Sequence, residues 1–188
     1  MGQTFYSGTK ESERPAVSQL LDDQHLSHQK ITLDALHMIP LTLYLIHDSA
    51  GVYVVGLKAN QANLYRHCVC RSLFYEADYE RVDEQTKHHG RVEQRTYRCF
   101  RLRPTALAPR WQTTGLATLI CVKRHRQQAG VVSQEVSYFV TNSQPASESE
   151  VDELFDAIRQ HWCVEVMHHK RDVTAPAART GRRPLTDG

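Results

Sequence analysis

About thirty residues in the first third of the chain restrict its fold more than any others. Lys30-Ile31-Thr32-Leu33-Asp34-Ala35-Leu36 reads as a strand that meets a carboxylate near its C-terminal end. Leu41 to His47 is apolar and follows Pro40, which suits the first turn of a helix. Asp48-Ser49-Ala50-Gly51 interrupts it, and Val52-Tyr53-Val54-Val55-Gly56-Leu57-Lys58 reads as a second strand. Strand, helix, strand at this spacing is a βαβ unit, whose two strands pair in parallel. The chain is therefore expected to be α/β.

The middle changes character. From Arg91 to Arg103 the residues alternate, with Arg91, Glu93, Arg95, Tyr97, Cys99, Arg101 and Arg103 on one face. Period two over this length predicts a strand with one basic face. Ala117–Lys123 and Val131–Thr141 are further strands, joined by a basic, polar turn from Arg124 to Gly130. Near the end, Ser147 and Glu150 form a capping box. Behind it Val151, Leu154, Phe155, Ile158 and Trp162 recur at helical spacing. The expected organisation is 1–66, strand-helix-strand with Asp34; 67–145, a basic antiparallel β insertion; 146–174, a core helix carrying Glu165; and 175–188, a disordered tail. A short helix from Pro15 to Leu21 completes the expected elements.

Composition narrows the function less than position does. With 40% hydrophobic residues the chain can bury a core, and no run approaches the length of a membrane span. The N-terminus lacks a charged-then-apolar signal pattern, so the expected location is cytoplasmic, with the five cysteines reduced. A net charge of +2 is too small to announce a nucleic-acid binder, but six Lys and Arg face one acid between Lys87 and Arg103. Arg91, Arg95, Arg101 and Arg103 could neutralise phosphates, with Tyr97 stacking a base. The bland alternative is a strand face whose arginines pair with Glu93 and its neighbours.

Two acids stand out. Glu165 falls on the apolar arc of the last helix, where a carboxylate costs several kcal/mol unless it is paired, metal-bound or facing a cleft; the bland alternative is that the helix emerges into water near Trp162. Asp34 lies at a strand end, where open α/β sheets place their sites, although an ordinary helix N-cap or turn role is the simpler reading of this feature alone. Together they suit Mg²⁺ or Mn²⁺, whose hard charge stabilises the oxygens of a phosphoryl displacement. A rival set for Zn²⁺ is His161, Glu165 and His168 on one helix. A looser one is His67, Cys68 and Cys70 with His88 and His89, without the paired spacing of a structural zinc site.

The segments Ile31–His37, Tyr53–Gln61, His89–Tyr97, Trp111–Leu116, Tyr138–Asn142 and Ile158–Glu165, in this order, resemble the ISAs1 family of insertion-sequence transposases. The resemblance covers nearly everything from Gly2 to Thr174. It implies an α/β ribonuclease-H-like core with a β insertion, and Asp34 and Glu165 as the second and third members of an Asp-Asp-Glu triad. In that reading Mg²⁺ or Mn²⁺ supports cleavage and transfer of double-stranded DNA at element ends and target. Lys58, His89, Arg91, Arg95, Arg101 and Arg103 would contact that DNA, no membrane is involved, and a homo-oligomer is allowed. The family's first Asp stands in an Asp-Gly-Lys segment on an opening strand, and no Asp-Gly-Lys occurs in this sequence. The expectation is a remnant truncated at both ends, short of one catalytic acid and one central strand, marginally stable and inactive. The alternatives are a non-catalytic DNA-binding remnant and, less favoured, a zinc-binding protein.

Overall fold

A computed structural model describes the backbone of residues 26–88 and 91–174, and the side chains of 26–86 and 91–161. The expected helix at Pro15–Leu21, His89 and the tail from 175 lie outside the described residues, as do the side chains of Glu165 and His168. Strand β1 (Lys30–Leu33) ends at Asp34, after which a 3₁₀ turn, Ala35–His37, leads into helix α1 (Pro40–Asp48). Strand β2 (Val52–Leu57) follows and pairs with β1 in parallel, Lys30 opposite Val52 and Leu33 opposite Val55. The βαβ unit thus forms as its spacing requires.

Next come a 3₁₀ turn at Ala59–Gln61 and helix α2 (Ala62–Phe74). The stretch assigned to β structure from residue 67 therefore begins in helix. The apolar stripe of α2 is thin: Leu64, Cys68 and Ser72 are its buried positions, at four-residue steps, and the last is polar. A periodicity carried by so few residues is easily lost among His67, Arg66 and Arg71.

Strands β3 (Tyr79–Val82), β4 (Thr86–His88), β5 (Arg91–Arg101), β6 (Thr118–Gln128) and β7 (Val131–Thr141) are antiparallel to their neighbours. Between β5 and β6 runs a short helix α3 (Pro109–Gln112), and helix α4 (Glu148–Thr174) closes the described chain. The seven strands make one mixed sheet, in the order β1-β2-β7-β6-β5-β3 with β4 also on β5. The antiparallel region is thus continuous with the βαβ unit through β2 and β7, which cross-pair Val54 with Thr141 and Leu57 with Tyr138.

β6 runs five residues further than its apolar part suggests, because Arg124–Gln128 is polar on both faces and offers no alternation to read. The turn itself is only Ala129-Gly130, both at positive φ (49° and 78°), the two-residue type that matches strand twist.

Period-two alternation sends neighbours to opposite layers. Tyr53 and Val55 pack with Leu43 and Ile46 of α1, Cys68 of α2 and Trp111 of α3, whereas Val54 joins Tyr97, Cys99, Ile120 and Phe139 under α4. Among the described side chains of α4, Val151, Leu154, Phe155 and Ile158 are buried, as their spacing predicts, and Trp162 lies outside the described side chains. Ser147 Oγ accepts from Glu150 N (3.3 Å), and Glu150 reaches back to Ala146 N (3.0 Å) in place of the Ser147 amide. No described helix is long and apolar enough to cross a membrane.

Candidate functional site at the carboxyl end of the parallel strands

The ends of β1 and β2 open on a cavity of about 400 Å³ lined by Asp34, Lys58, Tyr65, Glu135, Tyr138 and His161 among others. The position agrees with the rule that α/β sheets place ligands beyond the carboxyl ends of their strands. Asp34 follows β1, Lys58 follows β2, Tyr65 comes from α2, Glu135 from β7 and His161 from α4.

Asp34 caps the 3₁₀ turn, its Oδ1 accepting from Ala35 N at 2.6 Å, so the capping role is realised. The same oxygen lies 3.7 Å from Lys58 Nζ. Oδ2 has no hydrogen-bond or ion-pair partner among the described residues. The side chain is 40% exposed, and the Lys58 contact is long and wet enough to contribute little.

The turn that presents Asp34 is held from β2. Asn60 Nδ2 donates to the Ala35 carbonyl (3.2 Å) and Gln61 Nε2 to that of Met38 (2.8 Å). A Cβ on Gly56 would stand 3.3 Å from Ala35 N, a tight approach that the turn would have to yield to by a few tenths of an ångström. Gly56 and Ala59-Asn60-Gln61 therefore serve to aim Asp34.

His161 Nδ1 lies 3.2 Å from Thr32 Oγ1, which ties α4 to β1 beside Asp34. Glu165 follows four residues later in the same helix, about one turn along. Among the described residues no group of three or more His, Cys, Asp or Glu is close enough to hold a metal ion. Of the looser zinc candidates, Cys68 is fully buried and burial pushes its thiol up to about 12, which disfavours the thiolate a metal needs.

Glu135 is the carboxylate that sequence reasoning did not single out. It enters through the β6–β7 hairpin and is ion-paired to Arg124, and nothing local in the sequence signals the pocket it reaches.

The basic face of β5 divides in two. Its Arg91 and Arg95 turn toward Glu93, which is only 4% exposed and also takes Arg126 from β6. Tyr97 and Cys99 on that face are buried under Phe155 of α4. The arginine–carboxylate pairs of the bland alternative are present at this end of the strand, where a buried carboxylate demands counter-charge. Arg101 and Arg103 lie at the other end and are exposed.

No protein-family model matches the chain. It is 30% identical over 140 residues to a Xanthobacter autotrophicus protein described as "Uncharacterized protein in dhlA 3'region", covering 71% of this chain and 46% of that one. It is 25% identical over 166 residues to "Putative transposase YncI" of Escherichia coli O157:H7, covering 85% of this chain and 42% of that protein. The chain spans less than half the length of these curated relatives. Among solved structures, a sugar N-methyltransferase from Streptoalloteichus aligns at 12% identity and a TM-score of 0.31, over 67% of this chain and 47% of that one. An S-adenosylmethionine-dependent methyltransferase from Clostridium acetobutylicum aligns at 6% identity and a TM-score of 0.20, over 72% and 49%. Neither likeness is close enough to assign a fold. The sequence relationship is to a transposase-like protein, at a distance.

Proposed function

We propose that this chain belongs to the catalytic part of a transposase of the Asp-Asp-Glu class, with an ISAs1-like, ribonuclease-H-like core, acting on double-stranded DNA. The observation that carries the reading is Asp34. It is an aimed, solvent-facing carboxylate at the end of a parallel strand, with one oxygen uncommitted among the described residues and α4 brought alongside through His161.

That oxygen fits a hard divalent cation, because Mg²⁺ and Mn²⁺ are held by one or two carboxylates together with water and substrate phosphate. Asp34 would hold the ion, with Glu165 as the second acid. A bound ion would supply charge stabilisation at the phosphodiester and a more acidic water. The protein's own part is to orient: Ala35 N–H fixes one Asp34 oxygen, and Asn60 and Gln61 fix the turn. Lys58, 73% exposed, can trade its weak contact with Asp34 for a DNA phosphate. Asp34 and Glu165 would be two of the three acids of such a triad.

The test is Mn²⁺ binding followed by electron paramagnetic resonance, with a short DNA duplex present. The chain is expected to hold Mn²⁺, with Asp34→Asn and Glu165→Gln each weakening it at least tenfold. Equal Mn²⁺ binding by the parent and Asp34→Asn would refute the assignment.

A further inference from the structure

A second cavity, of about 420 Å³, opens between the C-terminal half of α2 and the end of β5. It shares no lining residue with the Asp34 cavity. His67 and Arg71 come from α2, Tyr75 from the residue that follows it, and Arg101 and Arg103 from the end of β5. No Asp or Glu lines it.

The charge here differs in kind from the rest of the chain. Among the described residues, Arg81, Arg91, Arg95, Arg98, Arg124, Arg126 and Arg159 each have a carboxylate at ion-pair distance. Arg66, Arg71, Arg101, Arg103 and Arg110 do not, and three of these five line this one cavity. The acid bonded to this end of β5, Asp78, accepts from Arg101 N at 2.7 Å and does not line this cavity. Three guanidinium groups in one cleft, none with a carboxylate at ion-pair distance, attract an anion from outside.

The wall is also stiff. Arg98 donates to the carbonyls of Ser72 (3.0 Å) and Tyr75 (3.4 Å), closing off the end of α2. The Arg71 guanidinium stands 4.4 Å over the Tyr75 ring. Phe74 and Tyr75 are exposed to 77% and 59%, so aromatic faces border the cations. Cations interleaved with exposed aromatic rings are the elements of a nucleic-acid strand site, the first for phosphates and the second for bases. Tyr65, in the Asp34 cavity, and Arg71 are six residues apart on α2, ~9 Å along its axis.

We propose that this cleft binds the phosphodiester backbone of a nucleic-acid strand through Arg71, Arg101 and Arg103, with Tyr75 as a stacking platform. The proposal deepens the DNA reading above and rests on it for the identity of the ligand, while its residues are separate from the metal-binding acids.

The test is fluorescence anisotropy of the full chain with a labelled oligothymidylate of ~12 nucleotides across a salt series. Arg71→Ala combined with Arg103→Ala is expected to weaken binding and to lower the salt slope by about 1.4, at ~0.7 per phosphate lost. Tyr75→Ala is expected to cost about tenfold with an unchanged slope. The exposed Arg103 side chain has no hydrogen bond or ion pair among the described residues, so Arg103→Glu is expected to lose affinity while its melting temperature stays at the parental value. Parental affinity and slope in both the double variant and Arg103→Glu would overturn the cleft assignment. That failure would leave the Mn²⁺ result at Asp34 untouched, so the two readings fail separately.

Discussion

Replacing Glu93 by Gln tests whether the arginines of β5 are structural. Glu93 is 4% exposed and faces Arg95, Arg91 and Arg126, whose side chains are 18%, 42% and 32% exposed. Removing one partner of a fully buried pair costs about 3–5 kcal/mol. Here the arginines keep part of their water, and an exposed pair contributes only about 0–1 kcal/mol. Gln also relieves the cost of burying a charge. Weighing Arg95 near the buried limit and the other two near the exposed one leaves about 2 kcal/mol of destabilisation. For a chain of this size that is ~4–8 °C in melting temperature. Glu135→Gln is the control: the same chemistry, also paired to an arginine, but 59% exposed. It is expected to cost under ~0.5 kcal/mol. Thermal melts at two salt concentrations read both. An unchanged or raised melting temperature in Glu93→Gln would refute the argument that Glu93 commits Arg91 and Arg95 to the fold.

Other outcomes follow from the same structure. Cys68, Cys99 and Cys121 are buried while Cys70 is exposed, so a thiol reagent at neutral pH should modify Cys70 in the folded chain and those three only on unfolding. Comparable labelling of Cys68 in the native state would contradict that burial. Burial raises the Cys68 and Cys99 thiols from 9.0 to about 12 and the Tyr97 phenol from 10.0 to about 12. These groups stay neutral in the fold while the unfolded chain ionises, so stability should be intact below pH 9.0 and fall as pH rises toward about 12. A melting temperature that is flat across that window would refute it. Gly115 sits at φ +71° with a Cβ position 2.4 Å from the His47 ring, so Gly115→Ala should destabilise by ~2 kcal/mol or more, read by urea unfolding. A neutral effect would show that the α1 packing is looser than described.

What was legible in the sequence was what short-range periodicity encodes. The strands of the parallel β1–β2 pair are short β-branched runs, β5 alternates in sequence with a period of two, and the buried arc of α4 recurs at helical spacing. Helix α2 was not legible because its buried stripe is narrow and partly polar. The fate of the basic face was not legible either. Whether Arg91 and Arg95 serve DNA or Glu93 depends on Phe155 and Arg126, which sit far along the chain and meet β5 only in three dimensions.

Several of the segments that carry the family resemblance proved to be fold-building. Trp111 is buried, Thr114 accepts from the buried Tyr53 hydroxyl through its carbonyl, and Asn142 bonds Tyr53 N and the Gly51 carbonyl to lock β7 to the start of β2. Asp34, Asn60 and Gln61 form the exception, since their bonds place a carboxylate at an opening instead of filling a core. Glu135 and Arg71 reach their cavities through pairing and packing that no local pattern announces.

The position of the metal can be read directly by replacing it with Fe²⁺ and generating hydroxyl radicals with ascorbate and peroxide, then mapping the peptide bonds cut. Cuts are expected to cluster after β1 near Asp34, after β2 near Lys58, and in α4 beyond His161, all suppressed in Asp34→Asn and by excess Mg²⁺. Cuts that cluster elsewhere, or that persist unchanged in Asp34→Asn, would contradict the claim that this cavity is a divalent-metal site.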